Sequence, residues 1–178
     1  MIAFRVAYSL GQTLFGKLLD RIGTRRGLTL TVALYSIISM LTSFAQGFRS
    51  FAAFRFLLGA GESANWPAAT KAVSEWFPKK ERGLATAFFD SGSSVGSAIA
   101  PFIIFTIYFR WGWRPAFMIP GVLGFIWLIG WRWLYQPPER HSRISQAELL
   151  YIVADKNEDD LQQGNTVRPR WRDLLKFP

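Results

Sequence analysis

The chain has 178 residues, of which 50% are hydrophobic and 16% aromatic, and its formal net charge is +9. It contains no cysteine and a single histidine, which excludes disulfides, thiolate metal sites and sites built from several histidines. So large a positive charge is typical of nucleic-acid-binding proteins. Here, however, the basic residues lie between long apolar runs, which favours membrane loops and argues against nucleic acid as a partner.

Five apolar runs are each long enough to cross about 30 Å of hydrocarbon as a helix. They cover residues 1–19, 27–45, 51–73, 83–109 and 115–135. The sequence therefore predicts an all-α, multi-pass bundle in a lipid bilayer over residues 1–136, with aromatic belts near residues 111–113 and 131–135.

Basic residues are unevenly divided between the two sets of loops. One side holds Lys17, Arg21, Arg25, Arg26, Lys79, Lys80, Arg82, Arg132, Arg140 and Arg143, and the other holds Arg49, Arg110 and Arg114. Cytoplasmic loops carry the excess of lysine and arginine, so the larger group is predicted to be cytoplasmic. Met1 then lies near the outer face, and we expect one further span before it.

Residues 137–178 are polar and are predicted to be a cytoplasmic linker. Ser145 followed by Glu148 is a capping-box pattern that predicts a short helix over residues 146–161, ended by Gly164 and Asn165. Apolar and basic residues over 170–177 predict an amphipathic segment leading to another span, which this sequence does not contain.

The loop after the first run carries the pattern G-x-x-x-D-R-x-G-x-R-R, formed by Gly16, Asp20, Arg21, Gly23, Arg25 and Arg26. It resembles the signature loop between the second and third helices of the major facilitator superfamily. The resemblance implies that the five runs are helices two to six of the N-terminal half. It also implies that Asp20 faces the positive end of a helix in the other half and closes a gate with help from the arginines. On the local residues alone, arginines that merely set topology are an equal alternative.

Two further charged residues resemble gating positions of the same family. Glu75 and Arg82 are similar to residues that pair with the arginines of the signature loop. Exposed pairs of this kind contribute little to stability, so we interpret both residues as parts of a switch.

Arg55 and Glu62 are charges within the third apolar run, where charge is costly. A seven-residue spacing places them within about 20° of each other on a helix and about 10 Å apart along it. An arginine and an acid on one buried face indicate an anion-binding or proton-coupling site. A structural ion pair is the alternative.

The run around these charges narrows the family. It comprises Arg55, Gly59, Gly61, Glu62, Ser63, Asn65, Trp66 and Pro67. It resembles the fourth helix of the anion:cation symporter family, which includes bacterial transporters of hexuronates and other sugar acids. The resemblance implies that Glu62 carries the proton and that Arg55 couples it to the substrate. It also implies a second acid on the first helix, which this sequence does not contain.

Four polar residues are candidates for substrate contact. Tyr8 and Gln12 share one face of the first run, and the resemblance places Tyr8 in the substrate cavity. Ser93 stands where galactonate-type relatives carry a glutamine, so hexuronate-type relatives are the better match. Asn65 is assigned to the same substrate cavity as Tyr8. Lone polar residues in membrane helices also form hydrogen bonds with neighbouring helices. Gly92 and Gly96 predict a face for close packing against another helix.

Together these features predict inward, proton-coupled symport of a hexuronate or related sugar acid, without a cofactor, in a bacterial inner membrane. No phosphate-binding glycine loop and no catalytic triad is evident, so ATP-driven pumping and hydrolysis are not supported. A membrane enzyme, a carrier of another carboxylate and a truncated, non-transporting fragment are the alternatives. The fragment is considered because substrate sites of this fold lie between two halves, and the C-terminal half is a required partner.

Overall fold

A computed structural model describes residues 2–153, apart from the side chains of Thr13 and Lys17. Within this range the fold consists of helices and short connections, without strands. The helices are α1 (Ile2–Ile22), α2 (Thr24–Thr42), α3 (Phe48–Glu62), α4 (Asn65–Trp76), α5 (Lys79–Trp111) and α6 (Trp113–Leu134), followed by a short 3-10 turn, Pro138–Arg140. The architecture agrees with the all-α bundle that the apolar runs predict.

Two of the connections between helices consist of a single glycine. Gly23 joins α1 to α2 with φ of 79°, and Gly112 joins α5 to α6 with φ of 87°. These are left-handed conformations that residues with a Cβ rarely adopt. Each glycine therefore allows the chain to reverse direction within one residue.

The third apolar run contains two helices where the sequence predicted one. α3 ends at Glu62 and α4 begins at Asn65, with Ser63 and Ala64 between them. Pro67 explains the break, because its ring clashes with the carbonyl four residues earlier, which belongs to Ser63. The Ser63 hydroxyl donates to the Ala60 carbonyl at 2.7 Å, which supports the end of α3.

Helices α1 to α4 and α6 pack together at close range. A Cβ added at Gly59 would lie 2.4 Å from the Phe4 carbonyl oxygen, and one at Gly121 would lie 2.8 Å from that of Ser36. Small residues thus let α3 touch the backbone of α1, and α6 that of α2. The buried core includes Leu19, Leu28, Val32, Ala64, Ala68 and Leu128.

Helix α5 contrasts with the rest of the bundle. It packs on α4 and α6, but residues 90–100 are exposed. Cβ atoms added at Gly92 or Gly96 would have no neighbour within 4 Å among the residues described. The packing face predicted for Gly92 and Gly96 therefore has no partner within this part of the chain.

Two helices, α5 and α6, are long and apolar enough to cross a membrane by length and composition alone. The other runs are more polar or, like α3 and α4, are divided into short helices. After α6, residues 146–153 are helical. The Ser145 hydroxyl accepts a hydrogen bond from the Glu148 backbone amide at 3.2 Å, as in a capping box. The predicted end of this helix and the amphipathic segment lie outside the described residues.

The connections between the helices lie at two opposite ends of the bundle. We call the end formed by the α1–α2 turn, the α4–α5 link and the residues after α6 the basic end, since the larger group of lysines and arginines lies there. The other is the opposite end. Where the two ends lie relative to the cytoplasm stays a prediction of the charge pattern.

Candidate functional site

Arg55 on α3 lies over two aromatic rings that contact each other edge to face. Its guanidinium carbon is 5.1 Å from the centre of the Phe51 ring and 4.9 Å from that of Phe117, which comes from α6. Cations are attracted to aromatic faces at such distances. The rings hold the guanidinium without using its N–H groups, which can donate to a planar anion.

Glu62 lies two turns along α3 from Arg55 and is partly buried. The two charges influence each other electrostatically, but among the described residues they form no ion pair within 4.0 Å. The structural ion pair considered as an alternative is therefore not formed in this conformation. Arg55 is held by the rings toward the opposite end.

The break between α3 and α4 gathers polar groups around Glu62. Asn65 is the first residue of α4, and its buried Oδ1 atom has no hydrogen-bond partner among the described residues. Tyr35 of α2 is an electrostatic neighbour of Glu62, lies within hydrogen-bonding reach of the Asn65 side chain and packs against Gly61. A buried acceptor without a donor is costly, so a donor supplied by a ligand would be favourable here.

The sequence did not single out Tyr35. The only available signal was a phenol within an apolar run that carries no charge, and such phenols also occur as interface residues. Its proximity to Glu62 depends on α2 packing beside α3, which sequence spacing does not reveal.

Tyr8 and Gln12 lie on α1, which packs along α3. The Tyr8 ring stacks on Phe4 with centroids 5.9 Å apart, and both Tyr8 and Gln12 are partly buried. Ser93 instead lies on the exposed part of α5. The structure thus places Tyr8, Gln12 and Asn65 on the packed helices and leaves Ser93 accessible.

A cavity of about 900 Å³ opens at the opposite end, where α3 and α6 begin. Its lining includes Gln46, Trp113 and Arg114, together with Phe51 and Phe117, whose rings contact Arg55. Arg114 also lies over Trp113, 5.4 Å from the ring centre. None of the described residues that line this cavity is acidic, so its electrostatics suit an anion.

At the basic end, Asp20 of the signature loop pairs with Lys71 of α4 at 2.8 Å. The same ammonium donates to the Leu19 carbonyl at 3.1 Å. Lys71 was not singled out from the sequence, although a lysine within an apolar run was a visible signal. Gly16 lies beside this pair in a cavity of about 460 Å³.

Gly23, Arg25 and Arg26 of the signature loop line a second cavity at the basic end, of about 630 Å³. Arg25 donates to the Arg132 carbonyl at 2.6 Å, and its Nε is buried without a partner among the described residues. Arg26 is exposed and lines the cavity with Gly23. Arg21 is exposed at the end of α1.

Glu75 and Arg82 do not pair with these arginines in the described part of the chain. The hydroxyls of Thr24 and Tyr135 both donate to Glu75, so its two oxygens are already occupied. Arg82 donates to the carbonyls of Phe77 at 3.0 Å and Ser74 at 3.4 Å. The expected pairing is not formed in this conformation and stays a prediction: here Glu75 connects α2 to the segment after α6, and Arg82 caps the end of α4.

The sequence profile of the Major Facilitator Superfamily matches residues 1–178. The chain belongs to this superfamily. The architecture agrees with it: the inward-open xylose transporter XylE of Escherichia coli superposes on 89% of this chain and 44% of its own, with a TM-score of 0.66 at 17% identity. Major facilitator proteins are integral membrane proteins, which confirms the bilayer as the setting of these helices.

Curated relatives of the chain are named as transporters, and several of them as transporters of sugar acids. The hexuronate transporter of Escherichia coli K12 is 36% identical over 151 residues, which is 85% of this chain and 35% of the relative. The galacturonate transporter of Dickeya chrysanthemi is 34% identical over 166 residues, which is 93% of this chain and 48% of the relative. The resemblance inferred from the motifs is thereby confirmed, and the chain spans between a third and a half of these relatives.

Proposed function

We propose that the chain is the N-terminal, ligand-recognising part of a secondary active transporter that moves a hexuronate or related sugar acid by proton-coupled symport. The observation that carries the proposal is Arg55, which lies over Phe51 and Phe117 beside a cavity whose described lining is not acidic, and has no ion-paired carboxylate among the described residues. A planar guanidinium with free donors is suited to a carboxylate. The relatives named above support a sugar acid as that carboxylate.

The hydroxyls of the substrate require hydrogen-bonding groups near the arginine. Tyr8 and Gln12 on α1, and Asn65 at the start of α4, are the groups we assign to this task on the packed helices. We assign Ser93 to the same substrate from the accessible face of α5. Few well-placed polar groups in an otherwise apolar site are typical of small-molecule recognition.

Glu62 is the group that we assign to the coupling proton. It is partly buried at a helix break, within electrostatic reach of Arg55 but not paired with it. When an anion occupies Arg55, the guanidinium is neutralised and its influence on the carboxylate falls, so protonation of Glu62 becomes more favourable. Binding of the anion and binding of the proton then support each other.

Transport requires access to the site from alternate sides, which this fold achieves by rocking two halves against each other. The relatives are two to three times as long as the matched region, and further spans, including a C-terminal half, complete the transporter in this proposal. The signature loop, Glu75 and Arg82 lie at the basic end, which we place on the cytoplasmic side of a bacterial inner membrane with residues 137–178.

The test is uptake into proteoliposomes that contain this chain or any longer reading frame that includes it. Labelled glucuronate should accumulate when an inward proton gradient is imposed, and a sodium gradient alone should not replace it. Arg55→Gln should abolish accumulation, whereas Arg49→Gln, at an exposed position on the same helix, should not. Absence of glucuronate uptake by the longest form would refute the proposal.

A second possibility is that the chain is made alone and transports nothing. It is considered because substrate sites of this fold lie between two halves. Uptake by the longer form but not by the 178-residue chain would establish this alternative.

A further inference from the structure

Lys71 makes two contacts across the α1–α4 boundary at the basic end. Its ammonium pairs with Asp20 at 2.8 Å and donates to the Leu19 carbonyl at 3.1 Å. The lysine side chain is 26% exposed and the aspartate side chain 76% exposed. The cation is therefore anchored in the last turn of α1, where a positive charge is favourable, while the carboxylate remains accessible.

The space beside Asp20 is open. A cavity of about 460 Å³ is lined by Gly16, Asp20, Thr70, Lys71 and Ser74. A Cβ added at Gly16 would have no neighbour within 4 Å among the residues that the structure describes. A helix end that approached from outside this chain could reach the carboxylate on this exposed side.

We propose that Lys71 is a gating residue, which holds Asp20 within this half while the basic end is open and competes with the other half for it. The inference rests on the proposed function, because it requires a second half that supplies the positive end of a helix. When the gate closes, Asp20 exchanges one positive partner for another. Lys71 thereby sets the balance between the two states of the transporter.

An exposed pair of this kind can shift such a balance only modestly. Its loss corresponds to a change of about two- to fivefold in the ratio of open to closed forms. Removal of Lys71 should favour closure of the basic end, because Asp20 is then left for its other partner. A pair that merely stabilised the fold would affect both states equally and leave the ratio unchanged.

Alkylation of a single cysteine measures this ratio. The 178-residue sequence contains no cysteine, and Ser74 lines the same cavity as Asp20, so Ser74→Cys reports whether the basic end is open. The reporter is placed in the longest reading frame that contains the chain, with any further cysteine replaced, and is labelled with a maleimide in inside-out vesicles. Lys71→Gln should slow labelling about two- to fivefold, whereas Lys80→Gln, at an exposed lysine of α5, should leave it unchanged.

Two further variants separate gating from local effects. With Asp20→Asn already present, Lys71→Gln should have no effect on labelling, which also controls for any direct influence of the lysine on the cysteine. The exchange Asp20→Lys with Lys71→Asp retains an ion pair but moves the carboxylate away from the other half, so labelling should become faster than in the parent.

Unchanged or faster labelling in Lys71→Gln, or parental labelling in the charge exchange, would overturn the proposal. Elution of each variant as one symmetrical peak in detergent confirms folding before labelling. Because labelling needs no substrate, this result is independent of whether glucuronate is transported. Failure of uptake with normal gating would point to a different substrate, and failure of gating with normal uptake would remove Lys71 alone from the mechanism.

Discussion

The guanidinium of Arg55 on α3 lies 4.9 Å from the centre of the Phe117 ring on α6. This contact joins the candidate anion site to a helix far away in the sequence. Because the ring contributes to holding the arginine, the affinity of the site for an anion depends on α6 as well as on α3.

Replacement of Phe117 tests this dependence. Phe117→Leu removes one of the two rings over the guanidinium, and a cation–π contact of this kind is worth about 0.5–2 kcal/mol. We expect the KM for glucuronate uptake to rise about three- to tenfold with a smaller change in kcat. Phe102→Leu, at an exposed phenylalanine of α5, is the control, and equal effects of the two changes would contradict the prediction.

Replacement of Glu62 distinguishes substrate binding from proton coupling. Glu62→Gln keeps the shape of the side chain but cannot release a proton, so uptake driven by a proton gradient should fall by at least tenfold. Exchange of labelled for unlabelled substrate across the membrane moves no net proton and should persist. Glu148→Gln, at an exposed position that tolerates either residue in a capping box, should leave both activities intact. Loss of exchange in Glu62→Gln would instead assign Glu62 to substrate binding.

The sequence predicted the helical runs and the turn at Gly23 because hydropathy and glycine are local signals. It did not predict the break at Ser63 and Ala64, since the apolar run continues through Pro67 without a change in hydropathy pattern. It also missed the pair of Lys71 with Asp20 and the contact of Arg55 with Phe117. Both depend on which helices are neighbours, and a single sequence records periodicity along each helix but not the packing between helices.

Glu75 accepts hydrogen bonds from Thr24 and Tyr135 and so connects α2, α4 and the segment after α6. Tyr135→Phe removes one donor from a partly buried carboxylate, at a cost of about 1–3 kcal/mol. Thermal unfolding of the purified protein in detergent should therefore begin at a lower temperature. Tyr108→Phe, at a half-exposed tyrosine of α5, should leave the unfolding temperature unchanged. Equal stability of the two variants would mean that the carboxylate finds water or another donor instead.

Two glycines provide a matched test of helix packing. At Gly59 an added Cβ would lie 2.4 Å from the Phe4 carbonyl oxygen, whereas at Gly96 it would meet nothing within 4 Å among the described residues. Gly59→Ala must therefore push the backbone of α1 away from α3, and we expect a loss of about 1–3 kcal/mol. Gly96→Ala should be neutral or slightly stabilising, because alanine favours the helix over glycine. Thermal unfolding of the purified protein in detergent measures both variants.

If Gly96→Ala proves as destabilising as Gly59→Ala in a longer form but not in the 178-residue chain, an additional helix packs on the face of α5 at Gly96. Equal stability of Gly59→Ala and the parent in either form would contradict the close approach of α1 and α3.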